Sequence, residues 1–115
     1  ITGRDAPSVG IRVEQLGINH YYKGIHDKKA AYADLRAKAG VAEHECAFIG
    51  DDVVDLPVMV RCGLAVAVPE AHDFTLQHAA YITRKSAGKG AVRELCDLIM
   101  QAQGTLDAAL NEYIK

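Results

Sequence analysis

The stretch Cys46-Ala47-Phe48-Ile49-Gly50-Asp51-Asp52-Val53-Val54-Asp55 constrains this chain most. A short apolar run rich in β-formers stops at a glycine, and three carboxylates follow within six residues. The pattern predicts a buried strand, 46–49, that ends in an acidic loop, where open α/β sheets hold their ligands. Two adjacent aspartates at a strand end repel each other unless a cation lies between them or one is neutral. Mg²⁺ is the hard cation that suits carboxylate oxygens. Asp51 is therefore the candidate metal ligand and Asp52 the residue that orients the site. Aspartates in such loops also cap the following helix, and Asp55 is expected near that helix start.

Apolar runs and punctuation order the rest of the chain. Residues 1–4 read as a strand end running into a loop. Pro7 and Ser8 open a helix to about Leu16, with Gly17 as its stop. A short strand is expected at 18–22, then a helix from Lys28 to Ala39, capped by Asp27 and ended by Gly40. A short helix at 56–61, a strand at 64–68 stopped by Pro69, a helix at 71–78 and a strand at 81–83 follow. The chain closes with helices at 91–102 and 106–114, divided by Gly104. Strands alternating with helices predict βαβ units and a parallel sheet in one domain.

With 115 residues, half of them apolar, there is enough chain for one modest core. A net charge of −2 leaves no nucleic-acid footprint, and no apolar run reaches the roughly 20 residues of a membrane helix. Cys46, Cys62 and Cys96 are widely spaced among apolar residues and read as buried, reduced thiols of a cytoplasmic protein. His20, His26, His44, His72 and His78 show no metal-ligand spacing and read as surface or turn residues, with His26 a candidate to line a pocket.

The polar groups at the predicted sheet edge are Thr2, Lys28, Asp51 and Lys89. Thr2 and Gly3 after a strand can offer a hydroxyl and a free N–H to an anion. Lys28 faces the positive end of its helix dipole, an unfavourable placement that a nearby phosphate or carboxylate would relieve. Gly88-Lys89-Gly90 is not a phosphate-binding P-loop, since position 84 is Arg and no Ser or Thr follows the lysine. Response-regulator receivers use the same residue types in another order, with the acidic pair first.

The order Thr2, Lys28, Asp51-Asp52 resembles motifs II, III and IV of the haloacid dehalogenase superfamily of phosphohydrolases. Within it the chain is similar to the 3-deoxy-D-manno-octulosonate 8-phosphate phosphatases. The segments that carry this are Ile-Thr-Gly-Arg at 1–4, Leu-Gly-Ile-Asn-His at 16–20, Lys-Gly-Ile-His-Asp-Lys at 23–28, and Phe-Ile-Gly-Asp-Asp at 48–52. Asp-Leu-Pro-Val-Met at 55–59, Gly-Leu-Ala-Val-Ala-Val at 63–68 and Gly-Lys-Gly-Ala-Val-Arg-Glu-Leu-Cys-Asp-Leu-Ile at 88–99 continue it. The resemblance implies a cap-less α/β fold, a Rossmann-like three-layer sandwich around a parallel sheet. It implies Mg²⁺-dependent hydrolysis of a sugar-acid phosphate in lipopolysaccharide synthesis, by a cytoplasmic homotetramer whose neighbouring subunits help close each site.

Carried onto this chain, the resemblance gives Thr2 and the Gly3 amide the transferring phosphoryl group. Lys28 neutralises charge between nucleophile and phosphate. Asp51 ligates Mg²⁺, and Asp52 supports the metal shell and Lys28. Arg4 and Lys89 meet the carboxylate or hydroxyls of the sugar acid, with Arg84, Lys85 and Arg93 as further candidates. The family's first motif, Asp-x-Asp, occurs nowhere in the chain. The expectation is that 1–115 is the C-terminal part of a single phosphatase domain, inactive and poorly folded unless another segment or chain completes it. Family order puts the absent nucleophile strand between the segment ending at Thr2 and the strand ending at Asp51. Two other readings remain: a sialic-acid-type 9-phosphate phosphatase, which tends to carry an acid where this chain has Arg4, and a non-catalytic interaction module.

Overall fold

A computed structural model describes all residues, 1–115. Three parallel strands form one sheet in the order β1-β2-β3: β1 Ala47–Gly50, β2 Leu64–Ala67 and β3 Tyr81–Ile82. The register pairs Ala47 with Leu64 and Gly50 with Ala67, then Val66 with Tyr81. Successive strand residues point to opposite faces. Ala65, Val66 and Ala67 of β2 are all buried, so both faces of the sheet are covered. The apolar run at 64–68 thus reads as a strand of a doubly covered parallel sheet. No helix is long and apolar enough to cross a membrane.

The helices are α1 Pro7–Gln15, α2 Lys28–Ala39, α3 Leu56–Met59, α4 Asp73–Gln77, α5 Ala91–Gln103 and α6 Leu106–Asn111. Their ends follow local chemistry. Pro7 begins α1, and the Asp27 carboxylate accepts from the Ala30 N–H at 3.1 Å to cap α2. His72 caps α4 by accepting from the Phe74 N–H at 3.1 Å. Short 3₁₀ turns at Glu43–Glu45 and Val53–Asp55 introduce β1 and α3. The core joins Met59 of α3, Ala65 and Ala67 of β2, Val68, Ala71 and Ala91 of α5.

Two predicted strands do not form. Residues 1–4 and 18–22 belong to no ladder. The Thr2 N–H donates to the Tyr22 carbonyl at 2.8 Å and the Ile25 N–H donates to the Thr2 carbonyl at 3.0 Å. A parallel ladder needs those two partners two residues apart; here they are three apart, and the pairing stops after one residue. No residue from 1 to 27 is buried. The thiols also depart from expectation: all three are free, but Cys46 and Cys62 are only half-buried and Cys96 is exposed.

Candidate active site

β1 ends at Gly50, and the chain must turn sharply to bring Asp55 back beneath it. A Cβ on Gly50 would lie 2.6 Å from the Asp55 Cβ, so only glycine lets this carboxylate approach the strand end. Asp55 is 3 % exposed. Its Oδ1 accepts from the Lys28 Nζ at 2.7 Å, and its Oδ2 accepts from the N–H groups of Asp51 at 2.9 Å and Asp52 at 3.2 Å. A buried carboxylate with three donors, one charged, is a stable way to hold charge out of water. Burial works to raise the Asp55 pKa, but Lys28 and the two backbone donors hold it below the ordinary carboxylate range.

The neighbouring carboxylates behave differently. Partial burial of its carboxyl, then the negative charge of Asp55, raise the pKa of Asp51. No cationic side chain pairs with Asp51. Asp52 turns its carboxylate to the Val53 N–H at 2.7 Å and caps the 3₁₀ turn there. Lys28 is therefore seated by Asp55, not by Asp52. The expectation that an anion relieves the misplaced Lys28 is met by this ion pair, whose side chains are 13 % and 4 % exposed.

A cavity of about 470 Å³ opens at this strand end. Lys28, Asp51 and Asp55 line it, together with Ile1, Ala87 and Gly88. Of the candidates from sequence, Lys28 and Asp51 face this space. Thr2, Gly3, Arg4, Asp52, Lys89 and His26 do not line it, although Thr2 follows Ile1 and Lys89 follows Gly88. The Thr2 Oγ1 accepts from the Arg4 N–H at 3.1 Å. The sequence pattern marks Asp55 only as a residue near a helix start. The signal for its larger part was the Asp52-x-x-Asp55 spacing, which places a carboxylate where it can return to the amides before it.

Side chains of this chain nowhere gather three histidine, cysteine or acidic groups into one metal cage. Mg²⁺ is held in many sites by one or two carboxylates, waters and phosphate oxygens. A carboxylate without a cation partner, beside a second aspartate and facing an open cavity, fits that mode.

Comparison with known proteins agrees with this chemistry. Residues 4–95 match the haloacid dehalogenase-like hydrolase family. The 3-deoxy-D-manno-octulosonate 8-phosphate phosphatase of Escherichia coli K12 is 47 % identical over 114 residues, which cover 99 % of this chain and 61 % of that protein. The crystal structure of the Yersinia pestis phosphatase of the same name superposes with a TM-score of 0.91 at 48 % identity, covering 93 % of this chain and 58 % of the other. The Moraxella catarrhalis phosphatase, solved with a magnesium ion, a phosphate ion and the octulosonate sugar, superposes with a TM-score of 0.95 at 41 % identity. It covers 98 % of this chain and 65 % of the other. The chain spans about three fifths of the length of the curated relatives it matches.

Proposed function

Because the chain belongs to the haloacid dehalogenase-like hydrolases, we propose that it is the C-terminal part of a single phosphatase domain. That domain hydrolyses 3-deoxy-D-manno-octulosonate 8-phosphate to the sugar acid and phosphate, as a cytoplasmic step of lipopolysaccharide synthesis. The observation that carries the reading is the Lys28–Asp55 pair beside Asp51 on the cavity wall. It sets an ammonium and a carboxylate free for a cation at one strand end, the charges that phosphoryl transfer needs held in place beforehand.

In this reading Asp51 holds Mg²⁺ and Asp52 supports its shell. Mg²⁺, when bound, supplies charge neutralisation for the phosphoryl oxygens. Lys28, kept in position by Asp55, neutralises the phosphate from the protein side. Thr2 and the Gly3 amide take phosphoryl oxygens, and Arg4 and Lys89 take the carboxylate or hydroxyls of the sugar.

The nucleophile in this reading comes from a segment that adds a strand to the free edge of β1. Two spaces flank that edge: the cavity already described and a second of about 330 Å³, lined mainly by apolar groups that include Tyr32, Leu35 and Val41. Ile1, Ala47 and Phe48 border both spaces. A slot open on two sides of one strand edge suits an added strand, whose side chains alternate between two faces. Assembly into a homotetramer is part of the same reading. It is supported by α1, which buries none of its residues and leaves Val9 and Ile11 exposed near the equally exposed Leu16 and Ile18.

The test is phosphate release from the octulosonate 8-phosphate by the full-length protein, with and without Mg²⁺. Metal-dependent release is expected, and Asp51→Asn is expected to abolish it with the fold intact by circular dichroism. Undiminished release by that variant would remove the metal role from Asp51.

A further inference from the structure

Residues 84–90 carry Arg84, Lys85 and Lys89, and none of these cations has an acidic partner anywhere in the molecule. The carboxylates that reach the segment are bound to its backbone instead. Glu94, on the first turns of α5, accepts from the Arg84 N–H at 3.0 Å and from the Lys85 N–H at 2.9 Å. Its other oxygen accepts from the Tyr81 hydroxyl at 2.6 Å. Glu70 accepts from the Ala87 N–H. The Thr83 hydroxyl donates to the Lys85 carbonyl at 2.7 Å, and the Lys89 N–H closes a turn onto Ser86 at 3.0 Å.

The arrangement has two consequences. The segment is fixed at its entrance by one carboxylate that ties β3, the loop and α5 together. Three positive side chains are also left without a salt-bridge partner, on a loop whose Ala87 and Gly88 line the same cavity as Lys28 and Asp51. Carboxylates bound to backbone amides hold the loop through strong, charge-assisted hydrogen bonds and leave the ammonium groups of Lys85 and Lys89 unbonded. None of the three cations lines the cavity itself; Lys89 directly follows Gly88 of its wall, and Lys85 stands two residues before Ala87.

On this geometry we infer that Glu94 is a positioning residue that holds the Arg84–Lys89 segment so that its cations receive the carboxylate end of the substrate. The inference rests on the substrate reading given above and adds the residue that orients the loop bordering the cavity. Glu94 touches neither substrate nor metal; it acts through the loop. Tyr81, which shares its carboxylate, acts with it.

The experiment is calorimetric titration of the full-length protein and its Glu94→Gln and Tyr81→Phe variants. Two probes are used in Mg²⁺: the sugar acid 3-deoxy-D-manno-octulosonate, and inorganic phosphate. Glu94→Gln keeps one acceptor oxygen but places an amide NH₂ against the loop donors. It is expected to weaken sugar-acid binding about tenfold while phosphate affinity stays within about twofold. Tyr81→Phe removes one donor and leaves both amides bound, so its sugar-acid affinity should fall about threefold. It decides the matter by the same two probes if Glu94→Gln does not fold. Unchanged sugar-acid affinity in the folded variants overturns the inference alone. So does an equal loss for both probes with a fall in thermal midpoint, which is what a general structural role would give. Failure of the unaltered protein to bind the sugar acid, with phosphate still bound, overturns the octulosonate reading and this inference with it.

Discussion

Residues 1–27 and residues 47–95 use similar material to different ends. Both contain short apolar runs, Ile18-Asn-His-Tyr-Tyr in one and Leu64-Ala-Val-Ala-Val in the other. The second becomes the middle strand of the sheet and is buried on both faces. The first becomes an irregular segment with no buried residue. The difference is partnership: β2 has a strand on each side, whereas the first run has a single backbone bond to another extended segment, at Thr2 and out of register. Strand formation depends on neighbours, because ladder hydrogen bonds and face burial come from other segments. Lys28, the residue that follows the first region, pairs with Asp55 of the second, and the cavity beside them is lined by Ile1 from the one and by β1 and Asp51 from the other.

The largest effect is expected at Val66 of the middle strand, which is fully buried. Val66→Asp places an unpaired charge inside the sheet and should cost more than about 4 kcal/mol, leaving no cooperative urea transition. At the bridge, Lys28→Met leaves the buried Asp55 carboxylate without its counter-ion. A loss of about 3 kcal/mol is expected in the same urea assay. A near-neutral result would mean that the two backbone donors suffice for Asp55.

A smaller, local effect is expected at Glu94. The Tyr81 hydroxyl, then the Arg84 and Lys85 N–H groups, hold its pKa below the ordinary glutamate value. A depressed folded-state pKa contributes stability above the unfolded value and loses it as the pH falls through the folded one. Exchange protection of the Arg84 and Lys85 amides should therefore persist through the ordinary glutamate range and drop as the pH falls below it. That of Thr83, bonded to the Ala67 carbonyl, should hold. The smallest effect belongs to α1: Ile11→Asp, at a residue 58 % exposed, should change monomer stability by no more than about 0.5 kcal/mol. A larger loss, with a fall in mass by light scattering, would sharpen the contrast by showing that this face is covered in the assembly.

The helices and their ends were legible because their causes are local. Asp27 and Gly40 bracket α2 at the boundaries expected from sequence, and Gly104 separates α5 from α6 as read. The three strands of the sheet were legible from apolar runs bounded by turn residues. The two false strands show the limit of the same signal, since apolar content cannot reveal whether a partner in register exists. The acidic loop was readable as a charged strand end, and the strain on Lys28 correctly called for an anion. Which of three aspartates answers it was not readable, because the Lys28–Asp55 contact spans 27 residues and depends on the turn that Gly50 permits. Glu94 was not readable for the same reason. Arg93 pairs with Asp97 at 3.0 Å, and the true contacts of Glu94 lie 9, 10 and 13 residues back along the chain.

The all-parallel register has a consequence for how the chain reaches its fold. No strand can pair with the next through a tight turn: residues 51–63 must cross over before β2 meets β1, and residues 68–80 before β3 meets β2. Each ladder therefore closes a loop before any of its bonds form, which slows folding relative to a hairpin sheet. During that delay β1 presents both of its edges, and after it one edge still faces outward. Synthesis that brings a further strand to that edge early would shorten the interval in which another copy of β1 can take the place instead.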